Sequence, residues 1–500
     1  MDIFSNLVLG LGVAFSPMNL LYALIGCVLG TAIGVLPGIG PLATVAMLLP
    51  ITFTMEPVTS LIMIAGIYYG AQYGGSTTAI LINLPGESSS VVTAIDGYQL
   101  ARQGRSGAAL GIAAIGSFAA GTIATCVIAI LAVPLTAVAL QFGAPEYFSL
   151  MVLGLILSVT LAHGSILKAL GMILLGILLG LVGTDTNSGS LRYTLGSLEL
   201  VDGFDLVASA VGMFGISEII RNLASESTRD VHLTRTGSTL PTRDDLKASA
   251  LPILRGTLFG SILGVLPGGG ALLSSFASYA IEKRLAKDPS RFGRGAIEGV
   301  AGPEAANNAG AQTSFIPMLT LGLPSNGMMA LIAGAMIIQG IVPGPNVMTD
   351  KPDLFWGLIA SMWIGNAMLL VLNLPLLGVW VRLLSVPYHV LFPAVIVFSM
   401  IGVFSIANSP FHLYTLVFFS ALGFVFYKLD CEPAPLLLGF ILGPMLEQYF
   451  RRSMVLSRGD PTIFLTHPIS LALLVVAVLM LVAIAVPGVA RKRREVFVED

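Results

Sequence analysis

Along most of this chain polar residues come singly or in short clusters, and the apolar stretches between them run longer than the core of a water-soluble domain requires. Such runs lie near 19–36, 57–72, 108–133, 147–162, 166–183, 206–220, 250–266, 328–342, 354–381, 390–407, 411–427, 433–447 and 469–489. A helix needs about 20 apolar residues to cross a bilayer. Several runs fall short of that and predict half-spans, so the pattern predicts about 10–12 crossings. Helices satisfy their own backbone groups inside hydrocarbon, which makes an all-α polytopic membrane protein the expected fold class.

The runs are not independent of one another. The most polar interval, 222–247 (NLASESTRDVHLTRTGSTLPTRDDLK), reads as a linker between a first transmembrane repeat, 1–221, and a second, 248–500, that carries extra C-terminal helices. The stretch GTAIGVLPGIGPL at 30–42 returns at 260–272 as GSILGVLPGGGAL, with eight of thirteen positions identical. Each half then has a second landmark, GGSTTAILINLPGESSS at 74–90 and NNAGAQTSFIPMLTLGLPSNG at 307–327. In both, hydroxyl and amide residues precede a short apolar run that ends in Leu-Pro.

Proline inside an apolar segment removes a donor and clashes with the preceding turn, while glycine admits positive φ. Pro37, Gly40, Pro267 and Gly270 therefore predict helix breaks, and Leu84-Pro85 and Leu323-Pro324 predict two more. Broken backbone within a bilayer has to be buried in protein or line a wet cavity. Ala79 to Leu84 is too short to span, so 75–95 predicts a hairpin that enters partway, turns at Pro85-Gly86 and leaves on the same side. Its counterpart turns at Pro324-Ser325. The pairs Gly30/Gly34, Gly260/Gly264 and Gly176/Gly180 have the spacing of close helix packing. Packing accounts for any one of these features, but not for the same breaks written twice.

Composition agrees with the pattern. Of 500 residues, 55% are hydrophobic and 10% charged, too few charges to coat a soluble protein of this size. The net charge of −2 gives no reason to expect a nucleic-acid partner. Basic residues gather at Arg102 and Arg105, between Lys283 and Arg294, and at 491–494, which places those segments toward the cytoplasm. The opening MDIFSNLVLGLGVAF has no basic n-region and reads as a retained helix. Cys27, Cys126 and Cys431 lie in apolar context without metal-site spacing and the histidines are scattered, so neither a disulfide framework nor a metal centre is expected.

Paired, interrupted helices in secondary transporters meet near the bilayer midplane, where half-helix N-termini face an anion and free carbonyls coordinate a cation. On that logic Asn83, Pro85, Gly86, Ser88, Ser89, Pro324, Ser325 and Asn326, with the backbone at Gly38 and Gly268, are the candidate site for an anionic substrate. Ser76, Thr77, Thr78, Asn307, Asn308 and Thr313 are the candidate ligands of a coupling cation. Sodium suits neutral oxygens, whereas proton coupling needs a titrating carboxylate. Glu87, Asp96 and Glu304 stand nearest the motifs, Asp96 also being placed to cap a helix near Gly97. Sodium and proton both stay open, and no other cofactor is expected. Lys168 and Arg255 read chiefly as residues at the membrane interface. A passive anion channel would use the same polar breaks without coupling. A membrane enzyme would need an Asp-rich pair, a His-Glu-x-x-His site or a Gly-x-Ser-x-Gly elbow, and none occurs.

At these same residues the sequence resembles a known family. GVLPGIGPL, then GGSTTAILINLPGESSSVVTAIDGYQLARQGR, then GPEAANNAG and IPMLTLGLP are similar, in this order, to the large membrane subunit, TctA type, of the tripartite tricarboxylate transporters. The likeness runs over nearly the whole chain. It implies a multi-pass protein of a bacterial inner membrane, built from two inverted repeats and working as a secondary transporter driven by an ion gradient. It also implies two partners, a small TctB-type membrane subunit and a TctC-type periplasmic solute-binding protein, and a small carboxylate substrate: a tricarboxylate, a dicarboxylate or an aromatic carboxylate. This chain has Pro324-Ser325-Asn326 where the family often has Pro-Gly-Ser.

Overall fold

The computed structural model describes residues 3–36, 40–52, 54–161, 165–185, 187–224, 240–266, 270–383 and 388–485. Within them the chain is helical almost throughout; the extended part is a two-residue antiparallel pair, β1 (Gly183–Thr184) with β2 (Leu191–Arg192). Before that pair come α1 (Ile3–Ala14), α2 (Pro17–Val35), α3 (Pro41–Thr52), α4 (Pro57–Ile82), α5 (Val91–Arg102), α6 (Ser106–Ala139), α7 (Ala144–Leu161) and α8 (Ile166–Gly180). After it, α9 (Leu206–Ala210) passes through a π-helical stretch, Val211–Ile216, into α10 (Ser217–Ala224). The second half continues with α11 (Arg243–Val265), α12 (Gly270–Leu285), α13 (Glu298–Thr313), α14 (Phe315–Leu321), α15 (Gly327–Ile338) and α16 (Asn346–Asp350). It ends with α17 (Pro352–Asn373), α18 (Leu377–Leu383), α19 (Tyr388–Ala407), α20 (Pro410–Lys428), α21 (Pro433–Leu456), α22 (Ile463–Thr466) and α23 (Pro468–Ala485).

The helix starts follow local chemistry. Proline occupies the first turn of α2, α4, α17, α20 and α21, where its missing N–H has no intrahelical acceptor to lose. Thr242 and Asp245 close a reciprocal capping box at the start of α11. The ends of the polar interval 222–247 are thus helical, and its residues 225–239 lie outside the described ones.

Among the described residues five helices, α2, α6, α11, α17 and α20, are long and apolar enough to cross a membrane. Other apolar runs fall on shorter helices, α7, α8 and α23 among them. Phe4, Val8, Ile130, Leu258, Ile262 and Val478 are all exposed. Such a surface suits lipid and not water. The chain is an all-α polytopic membrane protein.

What joins the helices is mostly glycine. Gly26, Gly30 and Gly34 of α2 lie against the carbonyls of Met63, Ile67 and Ala71 on α4, so close that a Cβ on any of them would collide with an oxygen. The same contact recurs 230 residues later, where Gly256, Gly260 and Gly264 of α11 meet Gly302, Ala306 and Gly310 of α13. In each pair both numbers rise together, so the helices run parallel, and α3 or α12 with its loops returns the chain between them. Gly176 and Gly180 of α8 meet Leu436 and Phe440 of α21 in the same way. The glycine pairs expected to pack closely do so.

The two halves meet at α4 and α13. As α4 advances from Tyr69 through Ser76 to Ile80, its surroundings step back from Phe315, at the start of α14, through Glu304 to Val300, which with Ile80 flanks Gly97, so α4 and the α13–α14 segment run in opposite directions. One expectation needs correcting here. The arm that leads to Pro85 is not a short run from Ala79 but a helix of 26 residues beginning at Pro57, because Gly74 packs against α2 and Gly75 against Glu87 and Ser90 without breaking it.

Candidate functional site

The break after α4 and the break after α14 are built alike. Each helix ends on a left-handed residue, Asn83 at φ 57° and Gly322 at φ 72°. These are the residue types that take that conformation at least cost. Leu-Pro follows, and then comes the residue that opens the next helical segment: Glu87 ahead of Ser88–Ser90 and α5, Asn326 ahead of α15. Equivalent residues of the two tips differ by 239 throughout.

Asn326 caps its helix, its Oδ1 accepting from Met329 N–H at 2.9 Å. Glu87 does not cap. Its carboxylate accepts from Ser89 Oγ at 2.6 Å and from Asn307 Nδ2, on α13, at 3.1 Å. The counterpart of Asn307 at the same offset is Tyr68 on α4, and Tyr68 reaches Asn326 while lying within electrostatic range of Glu87. Glu87, Asn307, Tyr68 and Asn326 therefore form one group between the two tips.

The helix starts that follow the breaks are neighbours too. Gly327 at the start of α15 lies against Leu42 in the first turn of α3, Gly270 at the start of α12 lies against the Asn326 amide, and α12 packs on Ser88–Ser90. Each start presents free backbone N–H groups and the positive end of a helix dipole. Gly86 ties the first tip to the end of α2: its N–H donates to Gly75 O at 3.4 Å, and a Cβ there would collide with the Gly34 carbonyl.

Behind the tips lies a second carboxylate. Glu304 is fully buried on α13; Ser76 Oγ donates to its Oε2 at 2.7 Å, Thr93 Oγ1 donates to its Oε1, and the Ser117 side chain stands nearby. Ser117 in turn accepts from Asn308 Nδ2 at 2.7 Å. A cavity of about 10 Å³ adjoins this carboxylate, with Tyr73, Ser76, Thr77, Ser117, Glu304 and Asn373 in its wall. Among the described residues no ion pair includes Glu87 or Glu304.

Of the residues singled out from sequence, Ser76, Asn307 and Asn308 gather around these two carboxylates, and Thr77 lines the cavity. Thr78 donates to Gly75 O and Thr313 to Ala309 O, so both hydroxyls serve backbone. At the tips, Asn83 and Ser88 are exposed and Pro85 is half-buried, while Gly86, Ser89, Pro324 and Ser325 are buried. Ser325 Oγ donates to Ser314 O at 3.3 Å. Gly40 immediately precedes α3 and Gly270 opens α12 at φ 43°, whereas Pro37, Gly38, Pro267 and Gly268 lie outside the described residues.

Asp96 is not a helix cap. It sits inside α5 and its Oδ1 accepts from the backbone N–H groups of Gly293, Gly295 and Ala296 while Oδ2 accepts from the Tyr279 hydroxyl, which fixes the loop leading into α13. Arg255 pairs with Glu282 through two contacts of 2.5 and 2.7 Å, and Lys168 donates to Leu429 O. Sequence reasoning missed Tyr73, Thr93, Ser117 and Asn373. It also missed a buried polar group in which Thr125 donates to Gln312 Oε1 and the Asn366 amide lies nearby, beside Gly121. Two Asn within the otherwise apolar stretch 354–381, Asn366 and Asn373, are the signal that could have pointed to both groups.

Comparison with known proteins gives one consistent result. The family model described as "Tripartite tricarboxylate transporter TctA family" matches residues 20–438. A protein of Agrobacterium vitis described as "Uncharacterized 52.8 kDa protein in TAR-I ttuC' 3'region" is 60% identical over 500 residues, the full length of both chains. A second from the same organism, "Uncharacterized protein in TAR-II ttuC' 3'region", is 59% identical over 241 residues, all of that protein and 48% of this chain. No solved structure matches.

Proposed function

The chain belongs to the tripartite tricarboxylate transporter TctA family, and from that membership we propose that it is the large permease subunit of an ion-coupled, binding-protein-dependent importer of small carboxylates in a bacterial inner membrane. Its partners in this reading are a small TctB-type membrane subunit and a TctC-type periplasmic protein that delivers the solute. The two halves act as inverted repeats, a relation supported by the opposite directions of α4 and α13 and by the reciprocal pairs Glu87–Asn307 and Asn326–Tyr68.

The observation that carries the proposal is the convergence of the helix starts at the two tips. Backbone N–H groups and dipoles there hold a carboxylate without a fixed cation. Glu87 gives the reason for coupling. An anion bound about 6 Å from an ionised Glu87 would be opposed by about 3 kcal/mol at an effective dielectric of 20, roughly a hundredfold in affinity. A cation or proton that neutralises the group removes that penalty, so solute and ion favour each other's binding.

The test is uptake of radiolabelled citrate and a panel of dicarboxylic and aromatic acids into vesicles that carry this chain with both partners, sodium and proton gradients being imposed separately. Accumulation that follows one gradient is the expected result. Flux that only equilibrates identifies a passive channel, and no flux with all three proteins inserted removes the carboxylate reading for that panel.

A further inference from the structure

Glu304 stands where a charge is hardest to keep. The residues of its helix from Gly299 to Thr313 are buried, hydroxyl donors occupy both its oxygens, and no Lys or Arg pairs with it among the described residues. An ionised carboxylate inside a membrane protein is costly without a partner. The cavity beside it, about 10 Å³, is close to the minimum for one water or one bare monovalent cation and far below the need of an organic solute.

Two more polar atoms on that cavity's residues have no hydrogen-bond partner among the described residues, the Tyr73 hydroxyl and Asn373 Oδ1, and both side chains are more than nine-tenths buried. The Asn373 amide is oriented by its surroundings, since Nδ2 donates to Leu369 O at 3.0 Å and leaves the oxygen as the unpaired end. The wall thus offers a carboxylate, an amide oxygen and the hydroxyls of Tyr73, Ser76 and Ser117. These are hard oxygen ligands with a single negative charge, whereas divalent cations gather more carboxylates.

We propose that this cavity, between α4, α6, α13 and α17, binds one dehydrated monovalent cation, sodium by size, through Glu304, Asn373, Tyr73, Ser76 and Ser117. The inference rests on the transport reading for its purpose. The link to the tips is short: Asn307, one turn beyond Glu304 on α13, holds Glu87, and Ser76, which holds Glu304, lies one turn beyond Gln72, whose Oε1 is 3.2 Å from Ser89 Oγ. A cation in the cavity draws α4, α6, α13 and α17 together beneath the tips.

Thermal unfolding and radioactive-sodium binding of the purified full chain test this without transport. Sodium chloride should raise the melting temperature saturably, while choline and potassium chloride at equal ionic strength should not. Glu304→Gln should abolish the effect. Asn373→Ala removes one ligand and no charge, and should raise the half-saturating sodium concentration about tenfold, equivalent to about 1.4 kcal/mol. Wild-type protein without a sodium-specific shift, or Asn373→Ala with unchanged sodium binding, overturns the proposal. So does stability that ignores sodium but follows pH and loses that dependence in Glu304→Gln, which would mean a proton on the carboxyl and water in the cavity. The transport reading fails separately: vesicle flux that only equilibrates, with sodium binding intact, sinks that reading and leaves the site. Proton-driven accumulation without sodium binding does the reverse.

Discussion

Asp96→Ala should loosen the loop that leads into α13 without touching solute or ion. Its Oδ1 accepts three backbone N–H groups, from Gly293 at 2.9 Å, Gly295 at 2.8 Å and Ala296 at 2.9 Å, and Oδ2 accepts from Tyr279 at 2.9 Å. In the alanine variant the exposed Gly293 finds water, but Ala296 is buried and Gly295 half-buried. Two unmet N–H groups cost about 1–3 kcal/mol each, so the loss should be about 2–6 kcal/mol. Asp96→Asn keeps the Oδ1 acceptor, forfeits the charge assistance and reverses the Tyr279 contact, its Nδ2 donating to the hydroxyl, a loss of about 1–2 kcal/mol. The chain carries its own reporter: Cys27 is fully buried while Cys126 is exposed. In a thermal ramp with a maleimide dye, Cys126 reacts at the outset and Cys27 on unfolding. The expected order of melting is wild type, then Asp96→Asn, then Asp96→Ala several degrees lower. An alanine variant that melts with wild type, or with the asparagine variant, refutes the idea that these oxygens hold the loop.

Asn83→Gly should keep uptake and Asn83→Val should abolish it, because φ 57° excludes a β-branched residue; equal loss in both would assign the role to the amide instead. Gly260→Leu should prevent stable insertion, since even a Cβ there collides with the Ala306 carbonyl, while Gly12→Leu, with open space around it, should insert normally as judged by gel filtration in detergent. Asp185 is held well below the usual carboxylate range, first by the Ser188 hydroxyl and the Asn187 N–H and then by Arg192, with Arg451 also 3.1 Å away. A depressed carboxyl contributes stability that is complete above its unfolded value of about 4 and is lost only as pH falls further. Hydrogen exchange of residues 183–192, corrected for intrinsic rates, should therefore stay constant from pH 8 to about pH 5; opening already at pH 6 would contradict the assignment.

How much of this was legible in the sequence depends on whether the signal was local. Proline and glycine at the breaks act through their own backbone, so the turns at Pro85 and Pro324 could be placed by inspection, as could the glycine seams. The length of α4 could not. Only the close approach of α2 to Gly74, and of Glu87 and Ser90 to Gly75, shows what two bare positions do inside a continuous helix. The candidate residues of the chamber were recognisable by type, but not which of them meet: Ser76 and Glu304 are 228 residues apart, and Thr93 reaches Glu304 from a different helix. Asp96 was misplaced for a related reason. A carboxylate beside a glycine suggests a local cap, and its real partners stand some 200 residues away.

The glycine seams have a mechanical consequence. Where α2 meets α4, and α11 meets α13, backbone approaches backbone at every fourth residue, the Thr313 hydroxyl standing beside Gly264 at the end of the second seam. Sliding one helix along the other by less than four residues, about 6 Å, would drive a Cβ into a carbonyl. Each seam therefore behaves as a keyed joint with no intermediate setting, and each pair of helices moves as one plank. Whatever displacement carries a solute across must be taken up at the loops between planks, which makes hinge position something the spacing of glycines decides.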